Sequence, residues 1–261
     1  MKLDYSISDV SPYINWVYFF HAWGSGRMPR AEQAQLRNEA EQRLRQCEGH
    51  YAAHAVFGLF SAHSQGDDLL LDGVRLPLLR QQAAGSQFLS LADFVSPQAD
   101  QVGVFAATVD RAMVDDSSHD PYEQMMMQLL ADRLAEATAE RLHEEVRKHY
   151  WGYAPHEHLS IEEMLLEHFQ GIRPAVGYPS MPDTSINFII HELIDLRQIG
   201  VSLTESGAMR PHASVSGLMI AHPEAHYFSI GTIGHDQLAD YARRRGVPIE
   251  LMRKFLGGNL Q

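Results

Sequence analysis

Among the residues able to do chemistry, the run Arg173-Pro174-Ala175-Val176-Gly177-Tyr178-Pro179 stands apart. Its two prolines fix φ while Gly177 opens backbone conformations closed to other residues, so a stiff, non-repetitive loop carries Arg173 and Tyr178. A guanidinium held there can fork onto a carboxylate, and a phenol face can pack on a heterocycle or a cation. The same composition also suits a purely structural loop, since Pro and Gly punctuate many of them. A second candidate is the row Asp132, Glu136, Glu140 and Glu144, spaced by four. On a helix these residues share one face, which is either solvated or a place where a carboxylate meets the ammonium of an amino-acid ligand.

Other chemistries find little support. Of the 15 histidines, the pairs His156/His158 and His222/His226 lack a third ligand at a recognised spacing, so no metal site is expected. Ser214-Val215-Ser216-Gly217 lacks the glycine two residues before the nucleophile that a nucleophile elbow requires. There is no Walker loop and no G-x-G-x-x-G to cradle a nucleotide phosphate. A single cysteine, Cys47, excludes an internal disulfide and multi-thiolate metal centres and agrees with a reducing compartment. The net charge of −12 argues against a nucleic-acid partner, and the one basic cluster, Arg243-Arg244-Arg245, falls at an expected helix end where cations complement the dipole. No stretch approaches the roughly 18 apolar residues of a membrane span, and the start MKLDYSISDV does not read as a signal peptide. The expected location is cytoplasmic, with no membrane partner.

The elements that must position these residues follow from hydrophobic spacing. Residues 30–47 have helix-forming composition, and residues 56–60, 69–71 and 102–109 are β-like. From 122 to 150 the chain reads as one long helix, with Leu130, Leu134, Thr138, Leu142 and Val146 spaced by four and no Gly or Pro inside. Ser160-Ile161-Glu162-Glu163 is a capping box opening a helix that Gly171 suits as an end. Another helix is expected from Asp183 or Thr184 to Gly200, with Phe188, Ile189, Leu193 and Leu196 inward. Residues 203–209, 214–221 and 227–233 suggest three strands in an antiparallel meander, followed by helices near 236–245 and after Pro248. With no linker or repeat, residues 1–261 are expected to form one α+β domain.

Ordered along the chain are Tyr13-Ile14-Asn15-Trp16 with Phe19-Phe20, Gly66-Asp67-Asp68, Leu79-Arg80-Gln81-Gln82, Leu91-Ala92-Asp93-Phe94 and the ADRLAE of 131–136. They continue with YWGYAP (150–155), GIRPAVGYP (171–179), Leu203-Thr204-Glu205-Ser206, ASVSG (213–217) and Asp240-Tyr241-Ala242-Arg243-Arg244. Together this text resembles the C-terminal activation domain of cobalamin-dependent methionine synthase almost end to end. The resemblance implies a C-shaped α+β domain around a twisted antiparallel sheet, flanked by helices, that binds S-adenosylmethionine (AdoMet). It further implies a cobalamin carried by a partner chain and an electron-donating reductase, which together restore methylcobalamin when the cofactor has been oxidised to cob(II)alamin.

Carried over position by position, the resemblance places Arg173 on the methionyl carboxylate and the Ala175 backbone at the adenine. Gly177 would allow close approach, and Tyr178, the residue nearest the chemistry, would lie by the methyl group and the corrin. Asn15, Glu136, Tyr227 and Phe228 would line the same pocket, and Asp132 would lie where the cobalamin module docks. Asn15 stands where the family usually has an aspartate, Phe228 where it has a tyrosine and Thr184 where it has a histidine. Residues 109–122 are abbreviated. No Asp-x-His-x-x-Gly cobalamin motif is present and there is no room for homocysteine and folate barrels, so the chain is expected to act in trans and not to make methionine alone. Two alternatives stay open: a reactivator of another corrinoid protein, and a docking module that has lost AdoMet.

Overall fold

The computed structural model describes residues 1–24, 28–82, 87–115 and 120–260. Strand β1 (Lys2–Ser6) is followed by helices α1 (Ile7–Val10), α2 (Trp16–Ala22) and α3 (Arg30–Cys47). Next come β2 (Ala52–Gln65), β3 (Asp68–Leu71), β4 (Val74–Pro77) and β5 (Asp100–Val109), then α4 (Ala112–Asp115) and α5 (Pro121–Glu145). The remainder holds α6 (Ile161–Leu165), α7 (Ile186–Ile194), β6 (Ser202–Leu203), β7 (Met209–Arg210), β8 (Ser214–Met219), α8 (His235–Arg245) and α9 (Ile249–Phe255). Residues 116–119, within the abbreviated stretch noted above, lie outside the described residues.

Among the described residues every pairing between named strands is antiparallel, and the main sheet runs β4-β3-β2-β5-β8 with β1 also paired to β2. Strand β2 is 14 residues long because it serves two partners in succession along one edge, β1 at Ala52–Val56 and β3 at Ala62–Gln65. The sheet is buried on both faces. Along β5, Val102, Val104 and Ala106 enter one cluster with Leu69, Ile190 and Leu218, while Phe105, Ala107 and Val109 enter another with Phe19, Leu130 and Leu134. That two-sided burial explains the uninterrupted apolar run of this strand, since a half-solvated strand would alternate.

The long helix forms as its spacing demands. Asp120 caps it through the Tyr122 N–H at 3.1 Å, Pro121 takes the first turn, and Leu130, Leu134, Thr138 and Leu142 are fully buried. A five-residue π turn, Val146–Tyr150, extends α5 and swings Arg147 inward onto Glu157 at 2.6 Å. The Ser160 capping box is present, yet α6 stops at Leu165, far short of Gly171. Glu167, at φ +60°, supplies the left-handed residue that ends it. Gly171 has a different duty: a Cβ there would stand 2.4 Å from the Ile220 carbonyl oxygen.

Two further expectations are corrected. Helix α7 begins at Ile186 and buries Ile186, Ile190 and Ile194, so Phe188 is 42 % exposed and Ile189 and Leu193 lie at the margin. The true stripe is the isoleucine series at i,i+4, and Asp195 at φ +44° ends the helix before Gly200, which caps the following 3-10 turn. The meander does not form either. Strand β8 pairs with β5, and its other edge is taken by the loop after Gly171 through the Ile172/Ile220 and Ala175/Gly217 bridges. With that edge filled, residues 227–233 stay irregular, tied instead by the Ile230 N–H to the Pro179 carbonyl at 2.8 Å. Among the described residues no helix is long and apolar enough to cross a membrane.

Candidate functional site

The Arg173 loop is laid on the sheet edge by its backbone. The Val176 N–H donates to the Ser216 carbonyl at 2.9 Å and the Leu218 N–H to the Pro174 carbonyl at 3.0 Å. Gly217 permits that approach, since a Cβ at this position would meet the Pro174 oxygen at 2.1 Å and Ala175 Cα at 2.9 Å. Beyond the sheet edge the loop turns twice. The Tyr178 N–H donates to the Ala175 carbonyl at 3.3 Å and the Gly177 N–H to the Met181 carbonyl at 2.8 Å, with Gly177 at φ +87°.

Across from the loop stands the acidic face of α5. Arg173, only 8 % exposed, is ion-paired through Nη2 with Glu140, and the Tyr178 hydroxyl donates to Glu136 at 2.5 Å. Glu144 accepts from the Tyr13 hydroxyl and pairs with Lys148 at 3.2 Å. The row is therefore not a solvated face: each of its four carboxylates meets a side chain from another part of the chain. Burial opposes the charge of Arg173, but Glu140 overcomes it and holds the guanidinium firmly protonated. Burial, then the charge of Glu136, pushes the Tyr178 hydroxyl well above the usual phenol range.

Between loop and helix lies a cavity of about 680 Å³, within the range of roughly 300–1,000 Å³ typical of small-molecule sites. Asn15, Glu136, Glu140, Glu167, Arg173, Ala175, Tyr178, Tyr227 and Phe228 are among its lining residues. The buried Nε of Arg173 has no hydrogen-bond partner within the protein. Three carboxylates, Glu136, Glu140 and Glu167, and two guanidiniums, Arg133 and Arg173, thus line one space, a charge set suited to a zwitterionic ligand carrying an additional positive centre.

A family model described as vitamin B12 dependent methionine synthase, activation domain, matches residues 6–246. The chain belongs to this family. A crystal structure of the MetH reactivation domain bound to AdoHcy is 40% identical, superposes with a TM-score of 0.92, and is matched over 100% of this chain and 90% of that chain. The α+β architecture expected from the sequence, a twisted antiparallel sheet flanked by helices with one long helix, is that of the reactivation domain.

Most of the site residues expected in this activation domain come together. Asn15, Glu136, Arg173, Ala175, Tyr178, Tyr227 and Phe228 face one cavity, although they come from α2's start, α5, the loop and the irregular 227–233 segment. Gly177 does not line it. Asp132 also lies outside, one turn back on α5, accepting from Gln128 Nε2 at 3.0 Å with His212 Nδ1 at 3.4 Å. The Asn15 Oδ1 caps α2 by accepting from the Val17 N–H at 3.1 Å, a duty an aspartate performs equally well. Tyr227 accepts from the Arg173 N–H at 2.9 Å, which couples the irregular segment to the loop.

Sequence reasoning missed Glu167, Arg133 and Tyr18, all of which line the cavity, and placed Glu140 in the acidic row without singling it out. Glu140 was within reach of the i,i+4 spacing, while Glu167 carried no signal because its place depends on where α6 ends. His222 and His226 pack against Phe94, with ring centroids 6.1 and 5.4 Å away. Among the described residues no group of three or more His, Cys, Asp and Glu could hold a metal ion. The basic cluster does more than complement a dipole. Arg244 pairs with buried Asp68, and Arg245 Nη2 donates to Ser185 Oγ at 2.7 Å.

Beneath the site, His143 on α5 is fully buried, its Nε2 3.3 Å from the Tyr153 hydroxyl and its Nδ1 without a partner. Burial, with Arg147 and Arg173 nearby, holds its pKa well below 6.5. The unfolded chain therefore binds a proton that the folded chain refuses, so stability is complete above about pH 6.5 and falls as pH drops below it, by up to about 1.4 kcal/mol per pH unit. Urea denaturation across pH 7 to 5 is expected to show a shallower fall for His143→Gln than for wild type. Identical slopes would mean that His143 titrates normally.

Proposed function

We propose that this activation domain, acting as one unit over residues 1–261, binds AdoMet in the cavity and presents its methyl group to a cobalamin held by a methionine synthase partner. The reading rests above all on the stiff loop that turns buried Arg173 and half-exposed Tyr178 toward a cavity walled by α5. The relative of known structure is described as bound to AdoHcy, the molecule AdoMet becomes on losing its methyl. In this reading Arg173 receives the methionyl carboxylate, and Glu136 and Glu140 favour the positive charges of the ligand. The Ala175 backbone meets the adenine, Gly177 keeps the turn open, and Tyr178 stands at the mouth by the methyl group. Asn15, Tyr227 and Phe228 close the sides, and Asp132, outside the cavity, belongs to the docking face.

When bound, AdoMet supplies an electrophilic methyl group. With one electron from a reductase it converts cob(II)alamin to methylcobalamin and leaves as AdoHcy. The protein's contribution is to bind and orient, because a methyl group held in line with its acceptor gains chiefly from proximity. The partner is proposed to be a separate chain met in trans. Mixing this chain with a cobalamin-binding methionine synthase chain in the cob(II)alamin form, a reductant and AdoMet is expected to regenerate the absorption spectrum of methylcobalamin. A spectrum that stays that of cob(II)alamin in every mixture containing AdoMet would overturn the proposal.

A further inference from the structure

An amino-acid head group carries its carboxylate and its ammonium on one carbon, so the group that receives the second must sit beside the group that receives the first. Beside Arg173 that neighbour is Glu140. Its Oε1 is ion-paired with Arg173 Nη2, its side chain is 21 % exposed, and it lines the cavity. The competing carboxylates are less well placed. Glu136 already accepts from the Tyr178 hydroxyl, and the carboxyl of Glu167 is pushed up by burial and then by Glu140. Asn15 is neutral and its Oδ1 is committed to capping α2.

Resting on the AdoMet reading above, we propose that Glu140 is a specificity-determining residue. It receives the ligand's α-ammonium while Arg173, its ion-pair partner on the same cavity wall, receives the α-carboxylate. The pair is itself a zwitterion, and it reads a zwitterion. Without ligand, Glu140 compensates a guanidinium that would be costly to bury alone. With ligand, the charges of the pair and of the amino-acid head group alternate, and the head group itself adds no net charge. An ammonium at this place also eases the repulsion of Glu140 on Glu167.

Calorimetric titration of wild type and Glu140→Gln with AdoHcy, and with an AdoHcy analogue lacking only the amino group, tests this. Glu140→Gln is expected to weaken AdoHcy by about 10- to 100-fold, the worth of a charge-assisted hydrogen bond, and the deamino analogue by less than about 3-fold. An equal loss for both ligands overturns the proposal, for Glu140 would then only hold Arg173 in place. Failure of wild type to bind either ligand removes the parent reading as well, so the two failures are distinct. Should Glu140→Gln not fold, the crystal structure of wild type with AdoHcy decides. An amine within about 3.2 Å of a Glu140 oxygen supports the proposal, and one beyond about 4 Å from both overturns it.

Discussion

Arg173→Met is expected to weaken AdoHcy binding by at least about 100-fold while the protein remains folded, with calorimetric titration and thermal denaturation as the two measurements. The side chain is buried, its guanidinium lies over the Phe105 ring with the centroid 5.7 Å away, and one of its donors is unpartnered. A ligand carboxylate that meets methionine there finds neither charge nor hydrogen bond. Stability is expected to fall by only a few degrees in Tm. Methionine keeps most of the volume, and Glu140, left without its partner, retains access to solvent at 21 % exposure. Wild-type affinity in this variant would mean that the cavity takes its ligand elsewhere.

The second large effect comes from a residue that touches no ligand. Gly217→Ala is expected to cost about 3 kcal/mol and, at roughly 2–4 °C per kcal/mol for a chain of this size, about 6–12 °C in Tm. The added Cβ would meet a backbone oxygen at 2.1 Å and a backbone Cα at 2.9 Å, neither of which can swing away as a side chain can. The loop must then lift from β8, carrying Arg173 with it, so AdoHcy affinity is expected to drop even at temperatures where the variant is folded. Gly177→Ala is the contrast. Its Cβ would find only the Thr184 methyl at 3.7 Å, leaving the cost of a left-handed alanine, about 1–2 kcal/mol. A Gly217→Ala protein with unchanged Tm and affinity would show that loop and strand are not coupled.

Much of the fold was legible in residues near one another in sequence. The capping box at Ser160, the period-four stripe of α5 and Gly246 after α8 act within a turn or two, and these features formed where the local pattern required. Where the reading slipped, a distant partner had intervened. Residues 227–233 have strand composition, but the edge they needed on β8 is filled by the loop from 172 to 176. Phe188 suits an apolar face, but the isoleucines of α7 met the sheet first.

The candidate site divides in the same way. A stiff loop bearing an arginine and a tyrosine, and a helix bearing four carboxylates in a row, are written in the sequence, because prolines, glycine and i,i+4 spacing constrain the backbone locally. That the two face each other across one cavity, that Glu140 neutralises Arg173, and that Gly217 rather than Gly177 is the glycine of closest backbone approach, were decided only by the tertiary structure. A carboxylate on a helix carries the same sequence signal whether it meets water or a guanidinium. What tells them apart is the element that docks opposite, and here that is the Arg173 loop laid along the edge of β8.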